Sequence, residues 1–166
     1  MTELSLVIRP ELAVDAAAIE RLHERAFGPG RFARTAFRLR EGAAPLMELS
    51  FTALVGTLLV GSVRMNPVLA GGAPALMLGP LTVEPAFEGR GIGAALMSRA
   101  IEAARDKGHA LVLLVGDEPY YERFGFKRVP RGQLVMPGPV DPDRLLAADL
   151  TEGALAGARG TILPAR

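Results

Sequence analysis

Leu78-Gly-Pro-Leu-Thr-Val-Glu-Pro-Ala-Phe-Glu-Gly-Arg-Gly-Ile-Gly-Ala-Ala-Leu96 sets the architecture of the chain. An apolar run ends near Val83, glycines follow at 89, 91 and 93, and an amphipathic run starts at once. From Gly91 to Lys107, Ile92, Ala95, Leu96, Ala100 and Ala103 form one stripe, widened by Met97 and Ile101, with Ser98, Glu102 and Arg105 opposite. That spacing predicts a helix, and Gly108 suits its C-terminal stop. A strand feeding a glycine turn and then a helix has a chemical consequence. The first helical turn leaves N–H groups unpaired at the positive end of the dipole, and glycines let another group approach the backbone. Such a turn suits a phosphate. The Lys-Ser/Thr pair of a P-loop is missing, and neither glycine register completes the three-glycine dinucleotide fingerprint. A glycine-rich helix entry that holds no ligand stays open on this stretch alone. Pro80 cannot donate to a ladder, so the strand is expected to part from its neighbour near Leu81 to Val83, leaving backbone groups free for a ligand lying like an added strand.

Downstream, Leu111 to Val115 is a continuous apolar run, as a strand buried on both faces requires. Gly116-Asp-Glu-Pro-Tyr-Tyr-Glu-Arg-Phe-Gly-Phe126 follows, with a short helix over Glu118 to Phe124 stopped by Gly125. It sits at a strand's carboxyl end, where open parallel sheets bind ligands. Both tyrosines of the chain are here; a phenol can donate a proton, and Tyr120 reads as a packing residue. Upstream, Leu4 to Arg9 reads as a strand and Asp15 as the N-cap of a helix to about Phe27. Arg31 to Arg40 reads as a second, basic helix, and Leu46 to Val55, Leu58 to Val68 and Ala75 to Val83 as strands, the first two a hairpin turning near Gly56-Thr57. Pro130 to Pro142 is expected to be a loop around a short strand at Gln133 to Met136. Strand, helix, strand, helix in this order predicts a parallel crossover in a mixed sheet.

Composition narrows the function. At 166 residues the chain is expected to be one domain with a full core. A net charge of +1 gives no electrostatic reason to expect nucleic acid or an acidic membrane as partner. There is no cysteine, which removes disulfides, thiolate nucleophiles and cysteine-based zinc sites, and two distant histidines, His23 and His109, make no metal cluster. No signal peptide is legible at the N-terminus, and Phe51 to Val63 is too short and too broken to span a bilayer, so a soluble, cytoplasmic protein is expected.

The pair of motifs, Glu88-Gly-Arg-Gly-Ile-Gly93 before a helix and Tyr121-Glu-Arg-Phe-Gly-Phe126 after the next strand, resembles the GNAT superfamily of acyl-CoA-dependent N-acetyltransferases. Leu-Gly-Pro-Leu-Thr-Val-Glu-Pro, Val-Gly-Asp-Glu-Pro-Tyr-Tyr-Glu-Arg-Phe-Gly-Phe and Gly153-Ala-Leu-Ala-Gly-Ala-Arg-Gly160 are similar to its YhbS-like branch. The resemblance implies an α/β fold: a central mixed, mostly antiparallel sheet with a splayed parallel strand pair and flanking helices. Residues 78–126 would hold the core motifs and 130–166 would extend the same domain. It also implies acetyl-CoA as co-substrate and no metal. Backbone groups at Leu81, Thr82 and Val83 would meet the pantetheine arm, and the segment Glu88, Gly89, Arg90, Gly91, Ile92, Gly93 and Ala94 would hold the pyrophosphate. Tyr121 would be the catalytic residue that protonates the departing thiolate. Glu88 stands where the family usually has Gln or Arg, and Arg90 is the nearest compensating charge. The family's asparagine after the fifth strand has Asp117 as its nearest counterpart.

Acetyl transfer to a primary amine needs a neutral amine, a polarised thioester carbonyl and a protonated leaving thiolate. A tyrosine with a pKa of about 10 can return a proton to a thiolate of about 8.5, and the N–H near Val83 is placed to polarise the carbonyl. Glu48, Glu84, Asp117, Glu118 and His23 are all candidates for the general base. Glu48, Ser50 and Thr52 share one side of a strand, which reads as a polar cleft wall or, as is commoner, a solvated face. The acceptor is a small-molecule or peptide amine, and a homodimer is compatible with the sequence. A non-catalytic acyl-CoA-binding sensor or scaffold is the competing function.

Overall fold

A computed structural model of the protein describes residues 5–27, 39 and 44–165. Among the described residues, nine strands and three α-helices follow in the order β1 (Leu6–Pro10), α1 (Ala16–Phe27), β2 (Phe51–Val55), β3 (Leu58–Ala70), β4 (Ala73–Val83), α2 (Ile92–Asp106), β5 (Leu111–Val115), α3 (Glu118–Tyr121), β6 (Lys127–Arg128), β7 (Leu134–Val135), β8 (Leu145–Asp149) and β9 (Gly160–Pro164). The sheet order is β1-β2-β3-β4-β5-β8-β6, with β9 paired to the far end of β3 and to β7. Only β4–β5 and β7–β9 are parallel; every other pair is antiparallel. This is the mixed, mostly antiparallel sheet with flanking helices that the motifs imply.

Two apolar clusters lie on opposite faces. Residues of β5 alternate between them: Val112 and Leu114 join Ile92, Leu96, Met97 and Ala100 of α2, while Leu111 and Leu113 face a cluster with Met77, Leu145 and Ile162. The expectation of a strand buried on both faces therefore holds. α2 begins one residue after the expected start, because Gly91 is its N-cap in the left-handed region, and Gly108 at φ 82° ends it.

Several expectations are corrected. Leu46 to Leu49 are not strand: Met47–Leu49 form a 3-10 turn, and Ser50 Oγ donates to the Leu46 carbonyl while accepting from the Met65 N–H. Asp15 is not the first cap, since Ala13–Asp15 already turn as a 3-10 helix that runs into α1. Its carboxylate instead accepts from the Leu12 N–H at 2.8 Å and from Arg9 at 2.7 Å. The second strand-like unit extends to Ala70, and β6, β8 and β9 lie where no firm element was expected. The basic helix expected over Arg31 to Arg40 falls outside the described residues, apart from buried Leu39.

Candidate active site

Pro80 breaks the β3–β4 ladder as expected, but that ladder resumes at Leu81, and the parting is from β5 and begins after Met77. β3 and β4 pair Met65 with Leu78 and Val63 with Leu81, so Gly79 and Pro80 together face Arg64 as a bulge. A bulge bends its strand. The parallel ladder between β4 and β5 holds only Leu76↔Val112 and Met77↔Leu113, while β4 runs on to Val83 and β5 to Val115. The β5-facing edge of β4 beyond Met77 therefore lies open, with Leu81 and Val83 half-buried there and Thr82 buried.

The turn after β4 is tied down at its start. The Glu84 N–H donates to the Val60 carbonyl at 2.8 Å, and the Glu84 carboxylate accepts from Arg25 of α1 at 2.6 Å. Pro85–Phe87 make one 3-10 turn, after which Glu88, Gly89, Arg90 and Gly91 are exposed. Gly89 and Gly91 have φ of 77° and 78°, and a Cβ on either would meet no atom within 4 Å. Backbone access is thus open on that side, and no side chain caps the first turn of α2. Ile92 is buried and anchors the helix start, while Gly93 and Ala94 are half-buried behind it. The Arg90 guanidinium lies 5.1 Å from the Phe87 ring centroid, on its own loop, and Glu88 is turned to the surface.

Facing this turn is α3, with Asp117 as its N-cap residue. Tyr121 packs against the α2-side core and stands edge-on to Phe126, with ring centroids 6.2 Å apart. Its ring occupies the space where a Cβ of Gly116 would stand, so only glycine fits after β5. Burial pushes the Tyr121 phenol above its ordinary value; Tyr120 and Asp117 add to the rise and Arg144 opposes it. The Tyr120 hydroxyl crosses to α2 and lies 3.1 Å from where a Cβ of Gly93 would be. Beyond Tyr120 opens a cleft of ≈ 600 Å³ lined by Gly116, Asp117, Glu118, Arg128 and Arg144 among others. Its charges are paired: Arg144 with Asp117 at 3.3 Å and Arg128 with Glu118 at 3.3 Å.

Residues 48–128 match the family described as the acetyltransferase (GNAT) domain. A crystal structure of a GNAT family acetyltransferase from Brucella melitensis in complex with acetyl-CoA is 30% identical, superposes with a TM-score of 0.63, and is covered over 99% of its length by 92% of this chain. The chain belongs to the GNAT family. It is also 28% identical over 159 residues to the uncharacterized N-acetyltransferase YhbS of Escherichia coli strain K12, with 95% of each chain covered. The crystal structure of Escherichia coli YhbS in complex with CoA superposes with a TM-score of 0.83 at 26% identity, covering 99% of this chain and 92% of that one.

Set in the GNAT frame, Leu81, Val83 and the Tyr120 hydroxyl meet around Gly93, where the end of β4, the start of α2 and α3 come together and the Glu88–Gly91 turn leads in, whereas Thr82 is buried and Tyr121 packs on Gly116. The general-base candidates do not converge. Glu48 is exposed on its 3-10 turn, so the strand face expected to join it to Ser50 and Thr52 does not exist; those two are buried. Glu84 is held by Arg25, and Asp117 lies at the surface beside Arg144. Glu118 is held below its usual carboxylate value, chiefly by the Arg128 backbone N–H. His23 is buried in α1, with its ring 6.0 Å from Phe27. A buried polar row went unnoticed in the sequence. Thr52, Ser62 and Thr82 sit side by side on β2, β3 and β4, and the hydroxyls of Ser62 and Thr82 make no hydrogen bond. Its signal is a hydroxyl residue within each of three apolar runs. Among the described residues, no group of three or more His, Asp or Glu side chains could hold a metal ion, and no helix is long and apolar enough to cross a membrane.

Proposed function

We propose that the chain transfers an acetyl group from acetyl-CoA to a primary amine by direct attack, with both substrates bound together. The observation that carries this reading is the junction of two open backbone surfaces: the β5-facing edge of β4 from Leu81 to Val83, and the uncapped turn from Gly89 to Ala94 at the N-terminus of α2. They match the two ends of the donor. The uncapped N–H groups and positive dipole end suit the pyrophosphate. The strand edge offers N–H and C=O groups to the amides of the pantetheine arm. Fit is supported by the empty approach to Gly89 and Gly91 and by the lack of a side-chain cap on the first turn of α2, which leaves the backbone as the anion-binding group.

The chain's own chemistry then falls into three roles. The backbone N–H near Val83 hydrogen-bonds the thioester carbonyl as negative charge builds on its oxygen. Tyr121 stays protonated throughout the neutral range, because burial raises its phenol, and gives its proton to the leaving sulfur. Among the described residues, Glu84 is held by Arg25 and Glu118 by Arg128, so the amine loses its proton to water or to one of the flanking acids. The acceptor is a small-molecule or peptide amine.

Two measurements test the proposal. Calorimetric titration with acetyl-CoA must show saturable binding. A panel of amines must then show acetyl-CoA-dependent thiol release above the hydrolysis rate. Binding with no release on any amine would leave the sensor or scaffold function. Absence of binding would remove the donor assignment altogether.

A further inference from the structure

We propose that Tyr120 is a mobile wall of the donor cleft, whose hydroxyl and the donor's pantetheine arm compete for one space above Gly93. The proposal rests on the acetyl-CoA reading above, because it concerns how that ligand enters. A Cβ on Gly93 would have three nearest neighbours: the Tyr120 hydroxyl at 3.1 Å, Val83 Cγ2 at 3.7 Å and Leu81 Cδ2 at 3.9 Å. The hydroxyl therefore lies at the point where the start of α2 meets the end of β4. Any ligand that spans from the Gly89–Ala94 turn to the Leu81–Val83 edge must pass through that point.

Gly93 itself is informative. It is the second residue of α2 and its φ is not in the positive region, so backbone conformation does not call for glycine there. Glycine is a poor helix former next to alanine. What calls for it is space: a methyl group would sit closer to the Tyr120 oxygen than ordinary van der Waals contact allows. The glycine thus keeps room for either occupant.

Tyr120 is built to move. Its ring contacts are with residues of its own short helical segment: Tyr121 edge-on at 4.9 Å, Phe124 at 5.9 Å and the Arg123 guanidinium 4.4 Å from its centroid. The residue is 37% exposed, whereas Tyr121 is wedged over Gly116. Rotation of Tyr120 away from Gly93 moves a ring that already stands at the surface, and exposed side chains change rotamer in picoseconds to nanoseconds. When the ring is over Gly93 it covers the junction; when the donor arm occupies that space, the ring becomes the outer wall of the arm. Binding is then tuned by the fraction of molecules with the space open.

The chain has only two tyrosines, so labelling with 3-fluorotyrosine yields two fluorine resonances, assigned with Tyr120→Phe and Tyr121→Phe. The full chain is titrated with acetyl-CoA while calorimetry follows occupancy. The Tyr120 resonance is expected to shift towards that of free 3-fluorotyrosine as the site fills. Gly93→Ala is expected to produce the same shift before any acetyl-CoA is added, with no loss of melting temperature, because alanine favours the helix. A Tyr120 resonance that stays in place while calorimetry shows bound acetyl-CoA overturns the wall and leaves the donor assignment standing. A Gly93→Ala resonance identical to that of the unsubstituted chain also overturns it. Absence of calorimetric binding overturns the donor assignment, and the wall with it.

Discussion

Tyr120 and Tyr121 are adjacent on α3 but differently surrounded, and those surroundings favour Tyr121 as the proposed proton donor. Tyr121 is packed into the α2-side core and its phenol is raised by burial, whereas Tyr120 lies at the cleft surface. A proton donor to a thiolate must be protonated at neutral pH and held in one place, and Tyr121 meets both demands. Tyr121→Phe is expected to lower kcat about a hundredfold, the low end for general acids because a thiolate leaves readily, with acetyl-CoA affinity nearly unchanged. Tyr120→Phe is expected to change kcat less; the reverse order of effects in steady-state assays would move the donor role to Tyr120. The same burial makes a pH prediction. A phenol whose folded pKa lies above its unfolded value of about 10 favours the folded state below that value, and its contribution is lost as pH rises through the folded pKa. In Tyr120→Phe the single remaining phenol is therefore expected to ionise, by near-ultraviolet tyrosinate absorbance, above the midpoint of free tyrosine. The motif separates Tyr121 from Tyr120 in the sequence, but not the surroundings of either. Tyr121 was marked by its motif, but the depth of its burial depends on Gly116 admitting its ring, a contact between two elements.

At the scale of elements, the β4–turn–α2 unit was readable because its signals are local: a proline for the bulge, glycines for the positive-φ turn, and a helical stripe for α2. β8 was not. Leu145–Asp149 is rich in alanine, which disfavours strands, yet its residues are buried on both faces between β5 and β6. Only pairing distant in sequence makes it a strand. The turn itself can be tested with a matched control. Gly91 and Gly108 sit at opposite ends of α2 with φ of 78° and 82°, each with open space around a Cβ. Valine at either position suffers similar backbone strain, about 1–3 kcal/mol. Only Gly91→Val obstructs the proposed phosphate site, so it is expected to weaken acetyl-CoA binding at least about tenfold while Gly108→Val leaves affinity unchanged. Equal affinities in the two folded variants would show that the turn does not hold the ligand. A second element test concerns the joint between β1 and α1. Asp15 is buried, accepts from the Leu12 N–H and from two nitrogens of Arg9, and is held below its usual carboxylate value chiefly by that Arg9 hydrogen bond. Asp15→Ala leaves the arginine and the N–H without their partner and is expected to cost about 1–3 kcal/mol in urea unfolding. Because the folded pKa is lowered, this stabilisation is present above the unfolded value of about 3.9 and fades as pH falls through the folded one. The difference between Asp15→Ala and the unsubstituted chain is expected to narrow in acid.

On the scale of the whole molecule, the sheet separates the α1 side from the α2 side, and the parting of β4 from β5 is an interruption in that partition. The turn, α2 and Tyr121 lie on one side; the buried row of Thr52, Ser62 and Thr82 lies on the other, where Ile19 and Leu22 of α1 pack near Leu59. On the proposed reading, the donor lies along the β4 edge and the amine reaches its thioester while the donor is bound. The alternative is a covalent acetyl-enzyme. Cysteine, its commonest carrier, is absent from the chain. Thr82 is the aliphatic hydroxyl within the Leu81–Val83 edge, and the structure gives it no base: its oxygen makes no hydrogen bond. An unactivated threonine is a poor nucleophile. Direct attack in a ternary complex is therefore the expected order, and initial-rate lines should intersect when acetyl-CoA and an accepted amine are varied together. Parallel lines, combined with acetylation of Thr82 found by mass spectrometry after incubation with acetyl-CoA alone, would reverse this conclusion. In that case Thr82→Val should abolish turnover. Under direct attack it retains turnover, because the backbone N–H near Val83 and the Tyr121 phenol are both left in place.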